Sequence, residues 1–120
     1  MKSWALREIE TPGGSRSPNV LHSGGEGRAV LIVLDPGQEL GQHQVKESAF
    51  LVVVDGSVRI ESGQEVLEAG AGTLVTFEPD ERRSVSSEGG ARILLLFAPW
   101  PGAGHYRAEE KAAAEAQARR

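Results

Sequence analysis

The residues best suited to chemistry lie between Gly37 and Ser87. The stretch GQELGQHQVKESAFLVVVDG opens on Gly37 and closes on Gly56. It holds a single histidine, His43, with Glu39, Gln44 and Glu47 around it. Imidazole and carboxylate groups framed by glycines are the donors of a divalent metal site, which takes three or four protein ligands. A second stretch, GTLVTFEPDERRSVSS, runs from Gly72 to Ser87 and carries Glu78, Asp80, Glu81 and the pair Arg82-Arg83. Its arginines suit a different task, gripping a carboxylate or phosphate with the guanidinium fork.

Other chemistries are not signalled. The chain has no cysteine, so a disulfide framework and a thiolate metal site are both excluded. It has no GxSxG elbow, no Walker loop and no dinucleotide fingerprint opening a helix. GGEG (24–27) and GAG (70–72) read as turns between strands rather than phosphate cradles. Ser84, Ser86 and Ser87 have no base partner in the sequence. Asp80 and Glu81 point to opposite sides of an extended chain, so adjacency does not make them an acid/base couple.

At 120 residues the chain is expected to be one domain with a real core, since its apolar share of 39% and 15 glycines form an ordinary globular balance. Net charge is −4 and the basic residues are scattered apart from Arg82-Arg83 and Arg119-Arg120, so no basic stripe exists for nucleic acid. The few aromatics are not interleaved with basic residues, which argues against a stacking platform for single strands. No apolar run approaches the roughly 20 residues of a membrane span, and MKSWALREIE has no secretory h-region. Neither a membrane nor a nucleic acid is expected as a partner, and the expected setting is the cytoplasm.

The elements that must position these residues read as β. RAVLIVLD (28–35) and RILLLFAP (92–99) are continuous apolar runs of the kind covered on both faces, bounded by Gly or Pro. Within AFLVVVDGSVRIES (49–62), Asp55-Gly56 predicts a hairpin turn between two strands, with alternation resuming at Val58 and Ile60. A second turn at ESGQE (61–65) leads to VLEAGAG, then to strands at TLVTFEP (73–79) and RRSVSS (82–87), with SEGGAR (87–92) as a further loop. A short first strand is expected at WALREI, followed by a Gly/Pro/Ser loop over 11–19. Turns about every ten residues and no long helical pattern point to a sandwich or barrel. PWPGAGHY (99–106) reads as a turn-rich exit, with Trp100 capping one end of the barrel and His105 in a solvated loop. RAEEKAAAEAQARR (107–120) has high helix propensity but no apolar stripe beyond alanine, so an exposed short helix or disordered tail is expected.

Gly37 to Ser87 resembles the two consecutive motifs of the cupins, small double-stranded β-helix (jelly-roll) barrels. The first motif runs Gly, five residues, His-x-His, three or four residues, Glu, six residues, Gly. Here it falls on Gly37, His43, Val45, Ala49 and Gly56 (37–56). The second runs Gly, five residues, Pro-x-Gly, two residues, His, three residues, Asn. Here it falls on Gly72, Glu78-Pro79-Asp80, Arg83 and Ser87 (72–87). The resemblance implies an all-β cupin barrel over 1–106 and a homodimer, formed in many cupins by exchanging or adding edge strands.

In that family two histidines, the glutamate and the later histidine hold one divalent metal inside the barrel. Position by position, only His43 is kept, the other three having become Val45, Ala49 and Arg83. Methyl groups donate no lone pair and a guanidinium is a fixed cation. The resemblance therefore implies a barrel without the usual metal cofactor, whose ligand-binding residues would be His43, Arg83, Glu47, Val45 and Ala49. The alternative is one divalent transition metal on a rewired site of His43 with Glu47, with oxygenase, isomerase or decarboxylase chemistry. That needs a bend at 46–48 to swing Glu47 back, because residues four apart on a strand are separated by roughly 13 Å. Glu39, Gln44 and His22 are weaker candidates. Three readings stay open: a small polar or anionic ligand in the barrel, a metal enzyme, and an inert packed barrel. Arg83 itself either faces inward, paired with Glu47, Glu78, Asp80, Glu81 or an outside anion, or bends out to solvent beside Arg82. His43 either serves the site or is a silent core histidine.

Overall fold

The computed structural model describes residues 1–10, 18–43 and 45–99, with the backbone alone for Gln42 and His43. The expectations for Gln44, Trp100, His105, the tail over 107–120 and most of the 11–19 loop lie outside the described residues. Eight strands make up the rest: β1 (Asn19–Gly24), β2 (Gly27–Leu34), β3 (Glu39–His43), β4 (Ser48–Ser62), β5 (Glu65–Gly70), β6 (Leu74–Phe77), β7 (Arg83–Ser86) and β8 (Ala91–Ala98). The described residues contain no helix. None is therefore long and apolar enough to cross a membrane.

All pairings are antiparallel, and β4 belongs to two sheets. Its first half lies between β8 and β6, extending a sheet that continues through β2 to the edge strand β1. Its second half lies between β5 and β7, and β3 flanks β7. The two sheets close over one core of Val30, Ile32, Leu51, Val53, Ile60, Val85, Ile93, Leu95 and their neighbours. Alternation places these residues inward: β8 reads buried at Ala91, Ile93, Leu95 and Phe97 and half-buried at the positions between.

Two sequence expectations are corrected. Asp55-Gly56 is not a hairpin turn: β4 runs through it for 15 residues. The register against β8 slips between Val53 and Asp55, leaving one extra residue, and Gly56 stands at φ 76°. This is a β-bulge, which bends a strand and raises its twist. The bend carries β4 from one sheet to the other. A side chain at Gly56 would meet the Gly90 carbonyl oxygen at 2.2 Å, so the crossing needs glycine twice over. The β4–β5 hairpin falls at the second expected turn, ESGQE, where Ser62 pairs with Glu65 and Gly63 takes φ 61°.

The second correction concerns WALREI, which forms no strand. It makes a turn closed by Glu8 N–H on the Ala5 carbonyl at 2.9 Å. The Arg92 guanidinium holds it in place, Nη1 donating to the carbonyls of Leu6 (2.9 Å) and Ile9 (2.6 Å). Those carbonyls are satisfied by a side chain, and no ladder forms. The strands expected at 28–35, 73–79, 82–87 and 92–99 stand there, β3 is a strand the sequence did not signal, and β1 adds a hairpin partner to β2 around the GGEG turn.

Candidate functional site

β3 and β7 are neighbours, and their register sets His43 directly opposite Arg83. After β3 the chain makes one bridge at Val45 and bends at Lys46-Glu47 before entering β4. The Val45 carbonyl accepts from Asp80 N–H at 2.7 Å, which ties this bend to the β6–β7 loop. Ala49, the second residue of β4, pairs with Phe77, the last of β6. Arg83 then closes the group, its guanidinium carbon 4.6 Å from the centroid of the Phe77 ring. Positions 43, 45 and 49 are thus brought to the same end of the barrel as the sequence-distant 83.

Arg83 does not bend out to solvent. It is 1% exposed, and so are Val45 and Ala49. Nη1 donates to the Glu81 carbonyl at 3.4 Å, and the flat guanidinium faces the π-cloud of Phe77, an arrangement that attracts a cation strongly once water is excluded. Glu47 is 6% exposed with both carboxylate oxygens shut off from solvent, so the bend at 46–47 turns this side chain inward. Asp80, at the place of the motif's second glycine, takes φ 66°, a left-handed conformation that aspartate tolerates better than most residues.

The rim is fixed by carboxylate hydrogen bonds. Ser62 Oγ donates to Glu81 Oε2 at 2.5 Å and Glu78 N–H donates to Glu81 Oε1 at 3.0 Å. These two bonds, the hydroxyl first, hold the Glu81 carboxyl below its ordinary range, with a smaller contribution from the Arg83 charge. The tip of the β4–β5 hairpin is thereby tied to the β6–β7 loop.

These contacts complete a match with proteins of known structure. An RmlC-like cupin from Desulfovibrio desulfuricans is similar at 23% identity over 82% of this chain and 97% of that one, with a TM-score of 0.74. An RmlC-like cupin from Shewanella frigidimarina is similar at 25% identity over 82% and 90%, with a TM-score of 0.70. An uncharacterized conserved protein with a double-stranded β-helix domain, from Klebsiella pneumoniae, is similar at 17% identity over 84% and 92%, with a TM-score of 0.75. The fold is a cupin barrel. No family model and no curated protein matches the sequence, so the assignment is carried by architecture and motif spacing together.

Within this cupin barrel the family's four-donor metal set does not fit. Two of its positions carry buried methyl groups and a third a buried guanidinium, none of which can donate a lone pair to a cation. Among the described residues no three His, Asp or Glu side chains come together to hold an ion. His22 is placed elsewhere, its Nε2 2.8 Å from Glu26 Oε1 at the exposed β1–β2 turn, a contact that holds Glu26 below its ordinary pKa. Glu39 is exposed on β3 opposite Ser86. A cleft of about 310 Å³ opens at the β4 bulge, between Asp55-Gly56, Gly89-Gly90 and Arg92, and none of the expected site residues lines it.

Phe77 is the site residue that sequence reasoning missed. Its signal was present: it immediately precedes the second motif's turn, and alternation from the buried end of β6 points it inward. What the sequence could not supply was the register that stacks it under Arg83.

Proposed function

We propose that this cupin barrel binds a small anionic or polar organic ligand at its Arg83 end, without the metal that the fold family uses there. The observation that carries the reading is a guanidinium 1% exposed at a former ligand position, in a mostly aliphatic and aromatic interior whose other buried polar residues are Glu47 and Ser87. Burying a fixed charge is costly, and barrels that only need to be filled fill with Leu, Ile and Val. An arginine kept there gives the interior an affinity for carboxylate or phosphate. Phe77 would hold the guanidinium plane, while Val45 and Ala49 would give the ligand an apolar wall. His43 stands opposite Arg83 in backbone register.

A thermal-shift screen of small carboxylates and phosphates tests this, run on the native chain and on Arg83→Met. The expected result is a set of anions that raise the Tm of the native chain and not of the variant. A response identical in both proteins would reject the site.

A second reading is a metal-dependent enzyme built on His43 and Glu47, and the buried carboxylate of Glu47 is the observation in its favour. Elemental analysis of chelator-untreated protein separates the two. Near one transition metal per chain, lost in His43→Ala, would support the metal enzyme and overturn the metal-free reading.

A further inference from the structure

The bulge in β4 does more than change sheets. Where the strand bends away from β8 it leaves a cleft of about 310 Å³ lined by Val33, Asp55, Gly56, Gly89, Gly90 and Arg92. Bulges stand beside functional sites because the bend re-aims side chains and ends regular pairing. Val33 and Arg92 are register partners that alternate with core residues, so both face outward, and Asp55 opposite Arg92 on β4 is exposed. Gly89 leaves the facing wall bare. It has no positive φ, and a Cβ built there meets nothing within 4 Å, so the fold itself does not require glycine at this position.

Two opposite charges border the cleft without neutralising each other. Asp55 and Arg92 are register partners, with Cα atoms roughly 5 Å apart, yet the ion pairs among the described residues do not include them. Arg92 is turned to the N-terminal segment instead, its Nη1 donating to the carbonyls of Leu6 and Ile9. That leaves its Nε–Nη2 edge, the edge able to grip a carboxylate with two parallel bonds. Asp55 Oδ1 accepts from Gly56 N–H at 3.0 Å, which leaves Oδ2 for a second donor.

We propose that this cleft binds a small zwitterion of the α-amino acid type. Its carboxylate lies on Arg92, its ammonium on Asp55 and its side chain against Val33. A plain anion meets the Asp55 carboxylate and a plain cation meets the Arg92 guanidinium, and like-charge contact selects against both. A molecule carrying both charges on neighbouring atoms satisfies the two walls together. The cleft volume, at the lower end of the roughly 300–1,000 Å³ of ligand pockets, suits a ligand of that size. The site is separate from the Arg83 end, since the run of β4 from Ala49 to Asp55 spans about 20 Å.

An amide-resolved NMR titration of the full chain tests the proposal, with leucine, 4-methylpentanoate and isoamylamine as probes. These share one side chain and carry both charges, the acid alone or the amine alone. Leucine should shift the Gly56, Gly89 and Gly90 amides with a Kd on the order of millimolar, as an open cleft allows, and each single-charge analogue should bind at least about fivefold more weakly. Asp55→Asn keeps the oxygen that accepts from Gly56 N–H and removes the charge, so it should fold and weaken leucine binding about fivefold. Gly89→Leu puts a side chain on the cleft wall and should abolish the response. Arg83→Met, at the other end of this stretch of β4, should leave it unchanged, so the result does not depend on the barrel site. Glycine amides that do not move with leucine would overturn the proposal. Equal affinity for 4-methylpentanoate, or leucine binding unaltered in Asp55→Asn, would remove Asp55 from the site and overturn the zwitterion.

Discussion

Arg83 lies with its guanidinium carbon 4.6 Å above the centroid of the Phe77 ring, at a barrel end from which water is excluded. Phe77 is fixed in turn by its register against Ala49, so the arginine is positioned by a strand pair and not only by its own rotamer. A charge held this way has a stability consequence separable from any ligand.

Arg83→Ala should cost about 3 kcal/mol, because it empties a buried volume and uncovers the Phe77 face. Arg83→Met fills most of that volume without a charge to desolvate, and should fall within about 1 kcal/mol of the native chain or above it. Urea unfolding of the three proteins checks the order. If Met costs as much as Ala, the arginine is held chiefly by charge and hydrogen bonding, and the packing account fails.

The four motif positions converge even though three have lost their donors, so the donors can be restored. The triple variant Val45→His, Ala49→Glu, Arg83→His should retain one divalent metal per chain and gain Tm on adding it, by preferential binding to the folded state. Elemental analysis after dialysis and a metal titration of the melting curve give the result. A folded triple variant that binds no metal would show that positions 43, 45, 49 and 83 do not close to within ligand distance.

The fold was legible because the cupin spacing survives where three of the four donor residues do not. Turn and alternation signals placed β2, β5, β6, β7 and β8, and the motif spacing drew 43, 45, 49 and 83 toward one site. Asp80 at the motif's glycine position, now seen at φ 66°, shows how closely the frame is kept. What was not legible depends on pairing across the barrel. Asp55-Gly56 carries the local signature of a hairpin, yet β4 pairs with β8 on both sides of it, through Val53 and through Gly56. Local turn chemistry cannot distinguish a reversal from a bulge when both need positive φ. The sequence leaves the direction of Arg83 open because a charged residue in a strand gives no clue to its face until a neighbour such as Phe77 is known.

That bulge makes Gly56 a sensitive position. Gly56→Ala places a methyl group 2.2 Å from the Gly90 carbonyl oxygen and forces an L-residue to φ 76°. The backbone penalty alone is about 1 kcal/mol, and relief of the clash must move the β7–β8 loop, so a total loss of at least about 2 kcal/mol is expected. Gly63→Ala shares the positive φ but meets nothing within 4 Å, and should lose only the backbone share. Equal losses at the two sites would mean that the contact with Gly90 relaxes freely.

The rim bond between Ser62 and Glu81 predicts a dependence on pH. Glu81 is held below its ordinary carboxylate value of 4.5, first by the Ser62 hydroxyl and then by Glu78 N–H. A carboxyl with a depressed folded pKa adds stability where it is ionised, above its unfolded value. That contribution disappears as pH falls through the folded value. Ser62→Ala should therefore lower the stability at neutral pH by on the order of 0.5 kcal/mol, a modest figure because the pair is part-exposed and screened. The gap to the native chain should narrow as pH falls below 4.5. Glu81→Gln should show the same convergence. Melting curves across this range decide the matter. A gap that stays constant into strong acid would assign the Ser62 contribution to its second contact, the Arg82 carbonyl at 3.1 Å, which does not titrate.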